Sequence, residues 1–425
     1  MLTNSIEKLK SVLQKSLVKN SLWELLAKGI NTICQAAYFA IIVRVLGAEN
    51  YGAFVAIASL AALIFPFADL GSGDILVQQV SRDNKVFSTY WGNALLMVFS
   101  ASLLLTIVTF FLSPIIFQQN INILAILAIL FADLTGLAIF IVSAKAFMAH
   151  SLLKKSSLLQ IISTVTKLLA AIVLAIYITK PTLWQWSCLY LLSAIVTAII
   201  GIVWVNKILG QPKLKIADIP SMTNQGIYFS IGQSAYNINS HIDKTMLASM
   251  ATLEATGIYG AAYKLIEVAS VPIYAILSAS YPKFFQEGTK GIVGCFNLAR
   301  KLLPFVAAYC TLVLLGLIFF APGITAIFGA EYQNAIATLR WLAPIPLIGS
   351  IQLLLADTLT GSGFQKTRSI IQVTTALGNV GLNFWLIPLY SWKGAVWATL
   401  SSDSFRVMCL AIAVAWFYFQ QRKSR

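Results

Sequence analysis

The chain has little charge and no catalytic signature. Only 11% of its 425 residues are charged and 58% are hydrophobic, whereas about a quarter of a soluble chain is charged. The two histidines, His150 and His241, have no partners at metal-ligand spacing, and no G-x-S-x-G, H-E-x-x-H or phosphate-loop pattern occurs. The scarcity of charge and the high apolar content exclude a soluble domain. We therefore predict a membrane protein that is not an enzyme and that needs no cofactor.

The excess of basic over acidic residues, 30 against 15, does not indicate nucleic-acid binding. Lys and Arg lie in short segments between apolar runs, without the aromatic interleaving that a nucleic-acid platform needs. The positive-inside rule of membrane proteins accounts for the excess more simply. The five cysteines are scattered, mostly in apolar runs, and have the pattern of small core residues.

Long apolar runs make up most of the chain. Each run approaches the roughly 20 residues that a transmembrane helix requires. We predict an all-α polytopic membrane protein with about twelve spans, at residues 23–43, 51–71, 89–111, 122–143, 157–178, 183–205, 227–250, 257–279, 302–321, 337–359, 370–389 and 394–418.

The basic residues set the predicted orientation. With the N-terminus in the cytoplasm, 21 Lys and Arg fall in cytoplasmic segments and four on the opposite side, and basic residues resist translocation. Both termini are therefore predicted to be cytoplasmic. The outer loops are all short, which argues against a membrane polymerase or ligase with a long outward loop.

Two motifs repeat about half a chain apart. Tyr51-Gly52 and Tyr259-Gly260 each follow a polar turn, and S-L-L-Q from Ser157 matches S-I-I-Q from Ser369. Such echoes are typical of transporters built from two halves, here of parallel orientation with a cavity between them. The predicted domains are a basic amphipathic helix (1–22), an N-terminal six-helix lobe (23–205), a cytoplasmic linker (206–226), a C-terminal six-helix lobe (227–418) and a basic cytoplasmic tail (419–425). For residues 1–22 the alternative is a frayed, solvated start.

Charged residues within the spans are the candidate site, because each costs several kcal/mol in hydrocarbon, on the order of 2.5–3.5. Lys264 with Glu267, and Asp403 with Arg406, are i,i+3 neighbours that can form local pairs. The predicted substrate-binding cations of a central cavity are Lys28, Lys167, Lys244, Lys264 and Arg406. The predicted ion-coupling or ion-pairing carboxylates are Asp69, Asp133, Asp243, Glu267, Asp357 and Asp403.

Lys167 and Lys244 have no carboxylate three or four residues away, and Lys28 has only Glu24, near the entry of the first predicted span. Asp243 adjoins Lys244, but neighbours on a helix point about 100° apart and need not neutralise one another. A polar cavity explains such lysines, and snorkelling or a structural ion pair is the alternative. Asp69 ends a span at A-D-L-G-S-G, where it can cap the next helix or contact substrate.

Three motifs give the chain a family resemblance. R-V-L-G-A-E-N-Y-G-A-F from Arg44, P-F-A-D-L-G-S-G from Pro66, and D-K-T-M-L with G-I-Y-G-A-A-Y from Asp243 onward resemble the Wzx-like polysaccharide (O-antigen) flippases. These belong to the multidrug/oligosaccharidyl-lipid/polysaccharide exporter superfamily.

The resemblance implies a V-shaped, alternating-access bundle. It also implies transport of an undecaprenyl-diphosphate-linked oligosaccharide from the inner to the outer leaflet of the bacterial cytoplasmic membrane. By position, Lys28, Lys167, Lys244 and Lys264 would contact the diphosphate or acidic sugars. The implied partners are the lipid-linked oligosaccharide, membrane lipids and a polysaccharide polymerase complex. The alternative is an ion-coupled multidrug or cation antiporter of the same superfamily. A site with six buried carboxylates and five cations would suit a cationic substrate.

Overall fold

The structure, a computed structural model, describes the backbone of residues 2–117 and 121–423, and the side chains of residues 29–117, 121–231, 233, 234 and 237–423. Helices make up 91% of the described residues, which form no strand. This confirms the predicted all-α fold, and a helix pairs its backbone groups within its own segment, as lipid requires. The predicted amphipathic face over 1–22 and the side chain of Lys28 lie outside the described side chains.

Fifteen α-helices follow one another along the described chain. Three 3₁₀ turns (Asn84–Val86, Ile216–Asp218 and Ala330–Tyr332) and one π-helix (Phe131–Gly136) join or interrupt them. The α-helices are α1 (Leu2–Asp69), α2 (Ser72–Val80), α3 (Phe87–Ile116), α4 (Ile123–Leu130), α5 (Leu137–Ala149), α6 (Leu153–Tyr177), α7 (Leu183–Leu209), α8 (Ile219–Met250), α9 (Leu253–Gly288), α10 (Ile292–Phe320), α11 (Gly323–Phe328), α12 (Gln333–Leu342), α13 (Ile345–Gly361), α14 (Gln365–Tyr390) and α15 (Trp392–Lys423).

Ten helical segments of the described chain are long and apolar enough to cross a membrane. The first, Gly29–Asp69, contains two of the predicted spans, and a break at Gly47 divides it. Gly47 has φ 71° and ψ 173°, a conformation that is essentially restricted to glycine. The segment that carries the seventh predicted span, α8, is not among the ten, because nearly half of its residues are polar.

The chain divides into two compact units. Unit 1 comprises Met1–Leu46 and Ala61–Ser234, and unit 2 comprises Gly47–Leu60 and Ala235–Arg425. The predicted lobes over 23–205 and 227–418 stay a prediction.

The core of unit 1 is formed by large buried side chains of α3, α5 and α7, among them Trp91, Phe147 and Val205. Trp91 also donates a hydrogen bond from Nε1 to Asn206 Oδ1 at 2.8 Å. Unit 2 has two apolar clusters of its own, one around Phe284 and Leu354 and the other around Leu359 and Leu410.

The irregular part of the predicted linker is short and is held against unit 1 by hydrogen bonds. It runs from the end of α7 to the turn before α8, and the Lys213 amide donates to the Ser88 carbonyl at 2.8 Å. Asn93 of α3 exchanges two hydrogen bonds of 3.0 Å with the backbone of Lys215. This segment is therefore attached to α3.

Candidate functional site

A cavity of about 510 Å³ lies within unit 2, walled by α8, α9, α13, α14 and α15. Its volume is in the usual range of small-molecule sites. All five helices contribute polar or charged side chains to the wall, which are Asn239, Ser240, His241, Tyr263, Glu267, Ser270, Tyr274, Ser278, Gln352, Arg368, Gln372, Asp403 and Arg406.

One face of α9 supplies a continuous polar stripe to this cavity. Tyr263, Glu267, Ser270, Tyr274 and Ser278 recur every three or four residues, the spacing of side chains on a single helical face. Of these residues, only Glu267 was a predicted site residue. The periodicity of hydroxyl groups within an otherwise apolar span was the signal that could have revealed the others.

Arg406 of α15 joins three elements at the cavity wall. Its Nη2 lies 3.2 Å from Asp403 Oδ1 and also donates to Asn239 Oδ1, while Nε donates to Thr375 Oγ1 at 3.0 Å. The side chain is only 6% exposed. The expected i,i+3 pair is present, and the guanidinium also links α15 to α8 and α14.

Asp243 and Lys244 of α8 form an ion pair, which is one of the alternatives left open for Lys244. Lys244 Nζ lies 3.5 Å from Asp243 Oδ1, donates to the Ser240 carbonyl at 2.7 Å and lies 3.8 Å from the centroid of the Tyr263 ring. The other oxygen of Asp243 accepts a bond of 2.5 Å from Tyr259. The long lysine side chain folds back along its own helix, which spacing alone does not reveal.

Two further pairs belong to the same region. Lys264 Nζ lies 2.8 Å from Glu267 Oε2, as the i,i+3 spacing predicts. Arg368 Nη1 lies 3.7 Å from Asp357 Oδ1 and donates to Thr360 Oγ1 at 2.7 Å. Arg368 lies between the predicted spans 337–359 and 370–389 and was not among the predicted cavity residues, although it lines the cavity.

The predicted residues Lys167 and Asp133 come together in unit 1 through a tyrosine that the sequence analysis did not identify. Lys167 Nζ donates to the Tyr190 hydroxyl at 3.4 Å, and this hydroxyl donates to Asp133 Oδ1 at 2.5 Å. Asp133 lies in the π-helix, a distortion that is frequent at functional sites. These residues form a cluster separate from the unit 2 cavity.

Asp69 has the capping geometry that was one of its two alternatives. Its Oδ1 accepts from Ser72 Oγ at 3.0 Å and from the Gly73 amide at 3.3 Å, at the start of α2. Lys145 Nζ bridges Asp69 and Asp74 at 3.2 and 2.9 Å. Substrate contact by Asp69 stays a prediction.

No group of three His, Cys, Asp or Glu side chains could hold a metal ion within the described part of the chain. His150, between α5 and α6, packs edge-on against Phe87 with the ring centroids 5.0 Å apart. Burial lowers the pKa of His150, which favours the neutral imidazole.

Solved structures with a similar fold are membrane transporters. An inward-facing multidrug resistance MATE family transporter of the MOP superfamily matches with a TM-score of 0.73 and 12% identity, covering 93% of this chain and 99% of that one. The lipid II flippase MurJ in an inward closed conformation matches with a TM-score of 0.77 and 14% identity, covering 93% and 87%. A MOP superfamily transporter from Pyrococcus furiosus matches with a TM-score of 0.63 and 14% identity, covering 94% and 96%.

No curated protein sequence matches the chain. The family model described as "Polysaccharide biosynthesis protein" matches residues 17–287, which is more than half of the chain. This match and the shared fold confirm the resemblance found in the sequence. The chain belongs to the polysaccharide biosynthesis protein family and has the fold of the MOP-superfamily transporters.

Proposed function

We propose that this protein is a flippase for a lipid-linked oligosaccharide. In this proposal it carries an undecaprenyl-diphosphate-linked repeat unit, of the polysaccharide or O-antigen type, from the inner to the outer leaflet of the bacterial cytoplasmic membrane. It works by alternating access with both termini in the cytoplasm. The observation that carries the proposal is the polar cavity of unit 2, enclosed by helices with large apolar side chains on their outer surfaces.

A glycan cannot cross hydrocarbon without a polar path. Each hydroxyl or amide that loses water without a new hydrogen bond costs about 2–7 kcal/mol, and an oligosaccharide carries many such groups. The cavity wall offers amide and hydroxyl partners from Asn239, Gln352 and Gln372 and from the α9 stripe. The prenyl chain of the substrate is apolar and stays in the lipid.

The polar character of α8 supports the same proposal. A helix that is nearly half polar is costly beside lipid, and its polar face is tolerated where it lines a water-filled space. Asn239, Ser240 and His241 of α8 face the cavity. We propose that Arg406, which lines the cavity, and Lys264, which pairs with the lining residue Glu267, contact the substrate as hydrogen-bond donors to glycan hydroxyl groups while keeping their carboxylate partners.

The alternative function, a cation antiporter, has less support. A cationic drug needs a carboxylate that can turn to the ligand, but the carboxylates of this region already have cationic partners, with Glu267 and Asp403 held at 2.8 and 3.2 Å. Coupling to a proton or sodium gradient and association with a polymerase stay predictions. Translocation that proceeds unchanged after both gradients are collapsed would rule out coupling.

Reconstitution tests the proposed function. Purified protein in vesicles is given a fluorescent undecaprenyl-diphosphate oligosaccharide, and its arrival in the opposite leaflet is followed with a membrane-impermeant lectin. Gln352→Leu removes a cavity amide, and Gln333→Leu makes the same change at an exposed position of α12. We expect the first variant to slow translocation and the second to match the wild type. Vesicles that move a cationic dye but no lipid-linked oligosaccharide would favour the antiporter.

A further inference from the structure

The charged side chains that line the unit 2 cavity, together with their ion-pair partners and the adjacent Lys244–Asp243 pair, cancel one another. Four are cations and four are anions, and each cation has an anion within 4 Å. The pairs are Lys244–Asp243 at 3.5 Å, Lys264–Glu267 at 2.8 Å, Arg368–Asp357 at 3.7 Å and Arg406–Asp403 at 3.2 Å. The formal charge of these eight side chains is therefore zero.

Several of these cations are also held by neutral groups. The Arg406 guanidinium is occupied by Thr375 and Asn239 in addition to its carboxylate. The Lys244 ammonium is occupied by a backbone carbonyl and the face of the Tyr263 ring. A ligand anion would have to displace these partners and leave a buried carboxylate, such as Asp243 or Asp403, without its cation, which is strongly unfavourable.

The remaining wall is suited to uncharged polyhydroxyl groups. Asn239, Gln352 and Gln372 provide side-chain amides, which both donate and accept hydrogen bonds. Tyr274 provides an aromatic ring with a polar tip, whereas the Tyr263 ring already contacts the Lys244 ammonium and stacks on Tyr259. A sugar ring presents hydroxyl groups at its rim and C–H groups on its faces, and this combination of amides and an aromatic ring matches both.

We propose that the unit 2 cavity binds uncharged sugar residues and discriminates against acidic ones such as uronic acids. This inference rests on the proposed function and deepens it by naming the substrate class. It concerns the glycan alone. The diphosphate of the carrier is common to neutral and acidic substrates, so it does not contribute to the discrimination.

The Lys264–Glu267 pair can be broken without leaving an unpaired charge deep in the protein. Glu267 lines the cavity and its side chain is 37% exposed, and its partner Lys264 is 44% exposed. Glu267→Gln therefore leaves one ammonium unpaired beside the cavity. Glu287 makes a pair of the same kind with Lys290, at the same 2.8 Å and with the same 37% exposure, but it does not line the cavity. Glu287→Gln is the matched control.

The test compares two lipid-linked oligosaccharides that differ only in one residue, glucose or glucuronic acid. Initial rates are measured in proteoliposomes for the wild type, Glu267→Gln and Glu287→Gln. We expect the wild type to move the neutral substrate at least tenfold faster. We expect Glu267→Gln to reduce this ratio several-fold, whereas Glu287→Gln leaves it unchanged.

The other possible results separate failure of the inference from failure of the proposed function. Equal rates for the two substrates, or faster movement of the acidic one, would overturn the inference and leave the flippase function standing. An unchanged ratio in Glu267→Gln would also overturn it, because the cavity would then not respond to charge. Movement of neither substrate would refute the proposed function itself, and the inference with it.

Discussion

Replacing Gly52 by alanine should destabilise the protein, because two helices cross without room for a side chain. A methyl carbon at Gly52 would lie 1.7 Å from the carbonyl oxygen of Leu253 and 2.8 Å from the amide nitrogen of Gly257. The reverse contact is equally tight, since a methyl carbon at Gly257 would lie 2.0 Å from the carbonyl oxygen of Ala48. Both clashes are with backbone, so no rotamer change can relieve them.

The magnitude follows from two opposing effects. Overpacking costs about 1–3 kcal/mol, and a backbone clash belongs at the upper end of that range. Alanine is more favourable than glycine in a helix by roughly 0.5–1 kcal/mol. The free energy of unfolding should therefore fall by about 2 kcal/mol in Gly52→Ala.

Gly316 provides the matched control. It lies within α10, and a methyl carbon added there meets nothing within 4 Å. Only the helix-propensity gain applies, so Gly316→Ala should raise stability slightly. The two variants make the same chemical change with opposite expected signs.

The assay is the apparent Tm of purified protein in detergent, recorded at one fixed scan rate because membrane proteins often unfold irreversibly. Since 1 kcal/mol corresponds to about 2 °C in a chain this long, Gly52→Ala should lower Tm by about 4 °C, and Gly316→Ala should raise it by up to about 2 °C. The double variant Gly52→Ala/Gly257→Ala should lose less stability than the sum of the losses in the two single variants, because the first clash already separates the helices. A Tm for Gly52→Ala at or above the wild-type value would refute the reasoning.

Two further predictions concern hydrogen bonds to carboxylates. Glu331 Oε2 accepts from the Ala48 amide at 3.0 Å, just after the break in α1; Glu331→Ala removes this cap and should cost about 1 kcal/mol, measured as a lower apparent Tm, with Glu331→Gln intermediate. Equal stability of all three proteins would contradict this role. Tyr190→Phe removes the hydroxyl bound to buried Asp133 and should cost about 1–3 kcal/mol in the same assay. Tyr228→Phe, at an exposed position, should leave Tm unchanged, and a Tyr190→Phe variant as stable as this control would show that the bond contributes nothing.

Much of the fold could be predicted because hydrocarbon allows few alternatives. Long apolar runs must become helices, and the predicted spans correspond to helices of the structure, including α6 and α14, which carry the repeated S-L-L-Q and S-I-I-Q motifs. Local pairs at i,i+3 spacing, Lys264–Glu267 and Asp403–Arg406, were also predictable, because one helix fixes their separation.

The cavity depends on contacts between residues that are far apart in the sequence, and spacing along one helix does not predict them. Arg368 was predicted in a loop, but it reaches the cavity because α14 packs beside α15 and α13. Asn239 and Arg406 lie 167 residues apart and meet through side-chain contact. Tyr190 was overlooked because an isolated tyrosine in an apolar span resembles an ordinary core or interfacial residue.

The sequence by itself determined that this chain is a bundle of membrane-spanning helices, because apolar length is a property of each segment alone. Only the tertiary structure decided that the charges of unit 2 cancel pair by pair, because neutralisation depends on where long side chains end in space. Lys244 illustrates the difference. The sequence offers Lys244 no carboxylate three or four residues away. In the folded protein its ammonium lies beside Asp243 and the Tyr263 ring.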